Sequence, residues 1–121
     1  MYNRHKDHVD KSIVKRWIGY QVYDCSGLVR AAFKTVGLDL YHNAEKAWKT
    51  TKWQDKGTIS NYPKDKVVVL YKYDKSKQEM VHTGIYIGGG KFIHAKGSKY
   101  GVVKESMPNS WTHWGIPKGL Y

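Results

Sequence analysis

At Lys66 the residue pattern of this chain changes period. Before it, apolar residues recur at helical intervals: Val9, Ile13 and Trp17 at i, i+4 and i+8, then Leu28, Val29, Ala31, Ala32, Phe33 and Val36. After it come KVVVLYKY, a polar turn at Asp74 to Lys77, VHTGIYI, three glycines at 88 to 90, and KFIHA. These runs are rich in the branched and aromatic residues that favour strands. Helical patterns followed by strand patterns predict an α+β fold with an antiparallel sheet.

The punctuation refines this. A first helix is expected over residues 6 to 18, stopped by Gly19. Asp24 stands where an N-cap belongs, and Gly37 closes a second helix of about residues 25 to 36. Asn43 caps a short third helix through Ala44, Ala47 and Trp48, and the polar stretch from Thr50 to Lys64 reads as loop. Unbroken apolarity from Val67 to Leu70 predicts a strand covered on both faces, with the Cys25 helix on one of them. Residues 100 to 104 add a short strand, and Trp111, Trp114 and Ile116 form an apolar closing segment.

With 121 residues the chain fits one domain, residues 1 to 121, large enough to bury a core without a staple. The single cysteine excludes an internal disulfide. No apolar run approaches the roughly 20 residues that span a bilayer, and the charged first 20 residues do not read as a secretory signal. Lys and Arg number 21 against 10 Asp and Glu, a net charge of +11, so anionic surroundings are expected. Nucleic acid, acidic membrane and bacterial wall all satisfy that charge, as does a merely solubilising surface.

Cys25 is the first candidate for chemistry. In the first turn of a helix, a cysteine meets the positive end of the dipole and unpaired N–H groups, which favour thiolate. Gly27, in the same turn, weakens the helix unless a close neighbour or a substrate needs the room. Against this stands the reading of Cys25 as a small buried hydrophobe. His82 and His94 flank the triple glycine. If those three glycines are the loop, Ile87 pairs with Lys91 and His82 faces Lys96, two residues beyond His94. The imidazoles then share one sheet face as diagonal neighbours, roughly 7 to 8 Å apart at the backbone. A thiol nucleophile needs a base and a group that orients the base, and Cys25, His82 and His94 supply those parts. A zinc site from the same three residues lacks the close ligand spacings of zinc motifs and a fourth ligand. His5, His8, His42 and His113 have no partners at suggestive spacing and read as solvent-facing. Among the aromatics, Tyr20 and Tyr23, just upstream of the thiol, stand apart from the core.

The blocks Asp24-Cys25-Ser26-Gly27-Leu28-Val29, His82-Thr83-Gly84-Ile85-Tyr86-Ile87-Gly88 and Phe92-Ile93-His94-Ala95 together resemble the NlpC/p60 family of bacterial cell-wall cysteine peptidases. The resemblance extends over about residues 17 to 121. It implies a papain-like α+β fold, with the nucleophile helix packed on a small antiparallel sheet behind N-terminal helices. It implies hydrolysis of peptidoglycan stem peptides, typically between γ-D-glutamate and the next diamino acid. Cys25 then serves as nucleophile, His82 as general base and acid, and His94 as the orienting residue. Asp24 and Ser26 match positions that contact substrate. Tyr20 stands in for an upstream tyrosine, since the family's Tyr-x-x-Gly-Gly stretch has no counterpart here, and it would complete the oxyanion hole. Pro63-Lys64-Asp65 replaces the usual Pro-Gly-Asp. On this reading the partner is peptidoglycan rather than nucleic acid, no cofactor is called for, and the place of action is the bacterial wall. Without a signal peptide the protein would be released by lysis, carried on a virion, or part of a longer exported protein. The alternatives are a basic binding module on the same fold, for wall or nucleic acid, and an amidase or acyltransferase with the same trio.

Overall fold

The computed structural model describes residues 24–96, 101–107 and 110–121. The helix expected over residues 6 to 18, Tyr20 and Tyr23 lie outside them. Helix α1 is Cys25–Lys34 and α2 is Ala44–Thr50. The strands are β1 Trp53–Thr58, β2 Val68–Asp74, β3 Glu79–Gly88, β4 Lys91–Ala95, β5 Val102–Ser106 and β6 His113–Pro117. Among the described residues these six strands make one antiparallel sheet in the order β1-β6-β2-β3-β4-β5, so the architecture is α+β.

Both helices start where the sequence placed caps. The Asp24 carboxylate accepts the Gly27 N–H at 2.7 Å, and the Asn43 side chain accepts the Lys46 N–H at 3.0 Å. Helix α1 is two residues shorter than expected, because Thr35 to Gly37 form a turn that ends on Gly37 at φ +80. Its apolar stripe, Leu28, Val29, Ala32 and Phe33, enters the same core as β2, β3 and β4. In β2 the four consecutive residues Val68, Val69, Leu70 and Tyr71 are each 0% exposed, so this strand is covered on both faces.

One expected loop is a strand. Residues 50 to 64 contain β1, whose sequence WQDKGT is mostly exposed and pairs only with β6. A sheet edge gains from charges that discourage further pairing, and that polarity hides the strand from a search for apolar alternation. The last strand lies between β1 and β2. Gly115 is required there, because a side chain at that position would meet the Trp53 ring at 2.6 Å. The strand expected at 100 to 104 lies at Val102–Ser106, and the closing apolar segment becomes β6, with Trp111 preceding it.

The β3–β4 hairpin also departs from expectation. Gly88, not Ile87, pairs with Lys91, so Gly89 and Gly90 alone form the tip, and a β-bulge lies between Tyr86 and Gly88. All three glycines have positive φ, which other residues rarely adopt. Beyond the bulge the predicted register holds: Tyr86 pairs with Phe92 and Ile85 with Ile93. The bulge takes up the odd residue, so His82 and His94 keep the same parity.

Candidate active site

The N-terminus of α1 and one sheet face of β3, β4 and β5 carry the candidate residues. His82 Nε2 lies 2.8 Å from His94 Nδ1, and His94 Nε2 lies 2.8 Å from the Glu105 carboxylate. Glu105 pairs with Phe92, two residues from His94, so the same diagonal relation that joins the histidines joins His94 to Glu105. The other Glu105 oxygen accepts Lys96 Nζ at 2.7 Å. Glu105 was not singled out in the sequence. Its parity was hidden by the unknown length of the β4–β5 connection.

The proton positions in this chain follow from its acceptor end. A carboxylate only accepts, so His94 Nε2–H donates to Glu105. Burial pushes the His94 proton affinity down, more than its hydrogen bond with Glu105 pushes it up, so the ring is neutral and its Nδ1 is an acceptor. His82 Nε2–H therefore donates to His94. Burial, the His94 ring and the nearby Lys72 lower the His82 pKa to about 4, leaving that ring neutral as well. Its Nδ1 then carries a lone pair, and no hydrogen bond from a described residue occupies it.

Packing fixes the His82 ring. Trp111 stacks on it with centroids 5.4 Å apart and planes 7° from parallel, and meets His94 and Phe92 edge-on. Gly84 makes this possible. A side chain there would meet the Ile93 carbonyl at 2.8 Å, the Trp111 ring at 2.9 Å and His94 Cβ at 3.0 Å. Lys72 lies across from His82 in the β2–β3 register, its ammonium 5.1 Å from the Trp111 ring centroid.

Cys25 occupies the first position of α1 and is half-buried. Burial pushes its thiol above the ordinary range. The Thr83 N–H opposes this, the Asp24 carboxylate adds to it, and the N–H groups of Ser26 and Cys25 itself oppose it. The expectation that the helix start alone would yield a thiolate is thus corrected: desolvation outweighs the N–H groups. The Thr83 N–H that acts on the sulfur belongs to the residue after His82 on β3, which brings the thiol to that strand. Among the described residues no hydrogen bond joins the sulfur to either imidazole.

A cleft of about 310 Å³ opens beside the sulfur, lined by Asp24, Cys25, Ser26, His42, Lys77 and Glu79 among others. His42 is exposed to solvent, as expected, but it does have a partner: its Nε2 lies 3.0 and 3.2 Å from the two Asp24 oxygens. Burial raises the Asp24 carboxyl, but the hydrogen bonds from His42 and the Gly27 N–H outweigh it and hold the group below its usual value. Gly27 is explained by the same pair, since a side chain there would meet Asp24 Oδ1 at 2.6 Å and His42 Nε2 at 3.1 Å. His113, also expected to face solvent, is half-buried instead: its ring packs edge-on against Trp48 at 5.5 Å. Among the described residues no group of histidine, cysteine and carboxylate side chains is placed to hold a metal ion. None of their helices is long and apolar enough to cross a membrane.

Comparison with known proteins concerns the chain and its fold. Residues 14–115 match the NlpC/P60 family. The chain is 32% identical over 123 residues to a probable endopeptidase p60 of Listeria grayi, covering 98% of this chain and 22% of that protein. It is 30% identical over 73 residues to the gamma-D-glutamyl-L-lysine dipeptidyl-peptidase of Bacillus subtilis, covering 60% of this chain and 23% of that protein. The chain therefore spans about a fifth of the length of these curated relatives. Its fold is similar to that of RipD from Mycobacterium tuberculosis, described as a non-catalytic NlpC/p60 domain protein adapted to peptidoglycan binding. The TM-score is 0.69 at 15% identity, over 94% of this chain and 97% of that one.

Proposed function

Since this chain belongs to the NlpC/P60 family, we propose that it is a cysteine peptidase that cuts peptidoglycan stem peptides, with Cys25 as nucleophile, His82 as general base and His94 as its orienting partner. The observation that carries this reading is the directed chain from His82 through His94 to Glu105, with hydrogen bonds of 2.8 Å at both steps. It leaves the His82 lone pair at Nδ1, where a thiol proton can be received. Once His82 takes that proton, the Glu105 charge stabilises the imidazolium through His94.

The reaction proceeds in two halves. As the Cys25 sulfur attacks the scissile carbonyl, its proton passes to His82 Nδ1, and backbone N–H groups at the start of α1 hold the oxyanion. Collapse of this intermediate forms a thioester and expels the amine, which takes the proton from His82. Water, deprotonated by His82, then attacks the thioester, releasing the acid and restoring the thiol. Desolvation of Cys25 suits a proton transfer coupled to attack rather than a resting ion pair. Asp24 and Ser26 line the cleft beside the sulfur and are proposed substrate contacts, as is Tyr20. The relatives' names direct the choice of bond to the one that follows γ-D-glutamate. The place of action is the bacterial wall, and residues 1 to 121 are read as one catalytic domain.

The test is digestion of purified muropeptides followed by mass analysis. Each cut should add one water and create a new amine, and Cys25→Ala should abolish turnover while its circular dichroism stays native. Turnover retained by a folded Cys25→Ala protein would refute the mechanism. The raised thiol favours one competitor, a wall-binding module without chemistry, the adaptation described for RipD. That reading predicts retention on insoluble wall with no fragment released. An amidase or acyltransferase would show in the same mass analysis by its different product.

A further inference from the structure

Around His82 and His94 the charges are unequally matched. Among the described residues Glu105 is the carboxylate bonded to this cluster, and both its oxygens are taken: one by His94 and the other by Lys96. Lys72 is left over. It is half-buried on β2, directly across from His82, and its ammonium rests over the face of Trp111, the ring that stacks on His82. Within the described residues it forms neither an ion pair nor a hydrogen bond.

A half-buried ammonium costs desolvation energy, and an aromatic face replaces only part of what water or a carboxylate would supply. Where such a cation is held in place beside a reacting group, its natural complement is an anion that arrives with the substrate. Peptides built on γ-linked glutamate carry one. Because the side-chain carboxyl forms the amide, the α-carboxylate stays free, a few bonds from the scissile carbonyl.

We propose that Lys72 is a specificity residue that binds the free α-carboxylate of a γ-linked glutamyl substrate, with Trp111 as the platform that holds its ammonium beside His82. The assignment rests on the peptidase reading above and narrows its substrate class. Substrates in which this carboxylate is amidated bind more weakly, because the carboxamide brings no charge to Lys72. The stem of Lys72 stays on Trp111 in either case; only the end of the side chain finds or lacks its partner.

The experiment compares two short peptides, γ-D-glutamyl-L-lysine and its analogue with the glutamyl α-carboxylate converted to carboxamide. Binding is measured by calorimetry on the Cys25→Ala protein, so that turnover does not interfere. The acid should bind at least tenfold more tightly than the amide. Lys72→Met, which keeps the stem, should bring that ratio close to one. Lys72→Arg should preserve most of it, and Lys34→Met, which removes an exposed charge elsewhere, should leave it unchanged. Circular dichroism establishes that each variant is folded. Equal binding of the two peptides, or a ratio that survives in Lys72→Met, overturns the role of Lys72 and leaves the peptidase reading standing. Binding of neither peptide overturns both.

Discussion

A buried imidazole that stays neutral binds fewer protons than the same residue in an unfolded chain, and His82 is such a group. Its folded pKa, about 4, lies below the unfolded value of 6.5. Between these values the unfolded state binds more protons, so stability rises with pH across this window and is lost as pH falls from 6.5 towards 4. At about 1.4 kcal/mol per unit, and allowing for partial solvent access, the loss is on the order of 2 kcal/mol. Denaturant titrations at pH 7 and pH 4.5 should show it, and His82→Gln should reduce it. An unchanged midpoint in the wild type would contradict the buried neutral ring. On the proposed mechanism the same residue makes a kinetic prediction: the acid limb of kcat/KM should lie well below pH 6.5, because His82 remains unprotonated in mildly acidic solution. The sulfur behaves in the opposite sense. Cys25 is the sole cysteine, so its alkylation rate can be followed against pH without ambiguity. The rate should rise with a midpoint at or above that of an ordinary thiol, and a midpoint near 6 would indicate a resting thiolate instead. On the proposed mechanism Glu105→Gln should lower turnover by about 10- to 100-fold, the scale known for carboxylates that orient metal-bound histidines, and should shift the acid limb.

Between neighbouring strands, parity decides which side chains meet. The bulge at the β3–β4 tip makes a testable case. Deleting Gly89 leaves Gly88 and Gly90 as a two-residue turn, lets Ile87 pair with Lys91, and keeps His82 and His94 on one face. This shortened hairpin should fold and cut muropeptides at a rate within a few-fold of the parent. Deleting two glycines cannot preserve both the turn and the register, and should abolish activity. Gly84→Ala acts differently: its nearest obstacle is the Ile93 carbonyl, so the sheet itself must shift. A loss of about 1 to 3 kcal/mol is expected, with weakened stacking of Trp111 on His82. The helix caps, the buried strand β2 and the shared face of the two histidines were legible in the sequence because each is a short-range rule of cap chemistry, apolar run or parity. Strand β1 was not, since its neighbour β6 lies far along the chain and an edge strand need not alternate. Glu105 and Trp111 were missed as parts of the site for a related reason: nothing near them in the chain indicates the histidines. His42 had one local clue, the empty first-turn position at Gly27 that its pairing with Asp24 requires.

Charge belongs to the molecule as a whole. A net charge of +11 on 121 residues creates a field that attracts anionic polymers, the wall on the proposed reading, but salt screens it beyond about 8 Å at physiological ionic strength. Lysis of intact wall should therefore weaken as salt rises, whereas turnover of a small soluble muropeptide should fall less. Equal salt dependence for both substrates would remove the role of the field. The insertion of β6 between β1 and β2 has an effect on the timing of synthesis. Trp111 and β6 leave the ribosome after every other described element, yet β6 joins the edge strand β1 to the rest of the sheet and Trp111 covers the His82 ring. A nascent polypeptide that already carries Cys25, His82 and His94 still lacks the ring that stacks on His82, so on the proposed mechanism amide cleavage waits until translation has passed Trp111.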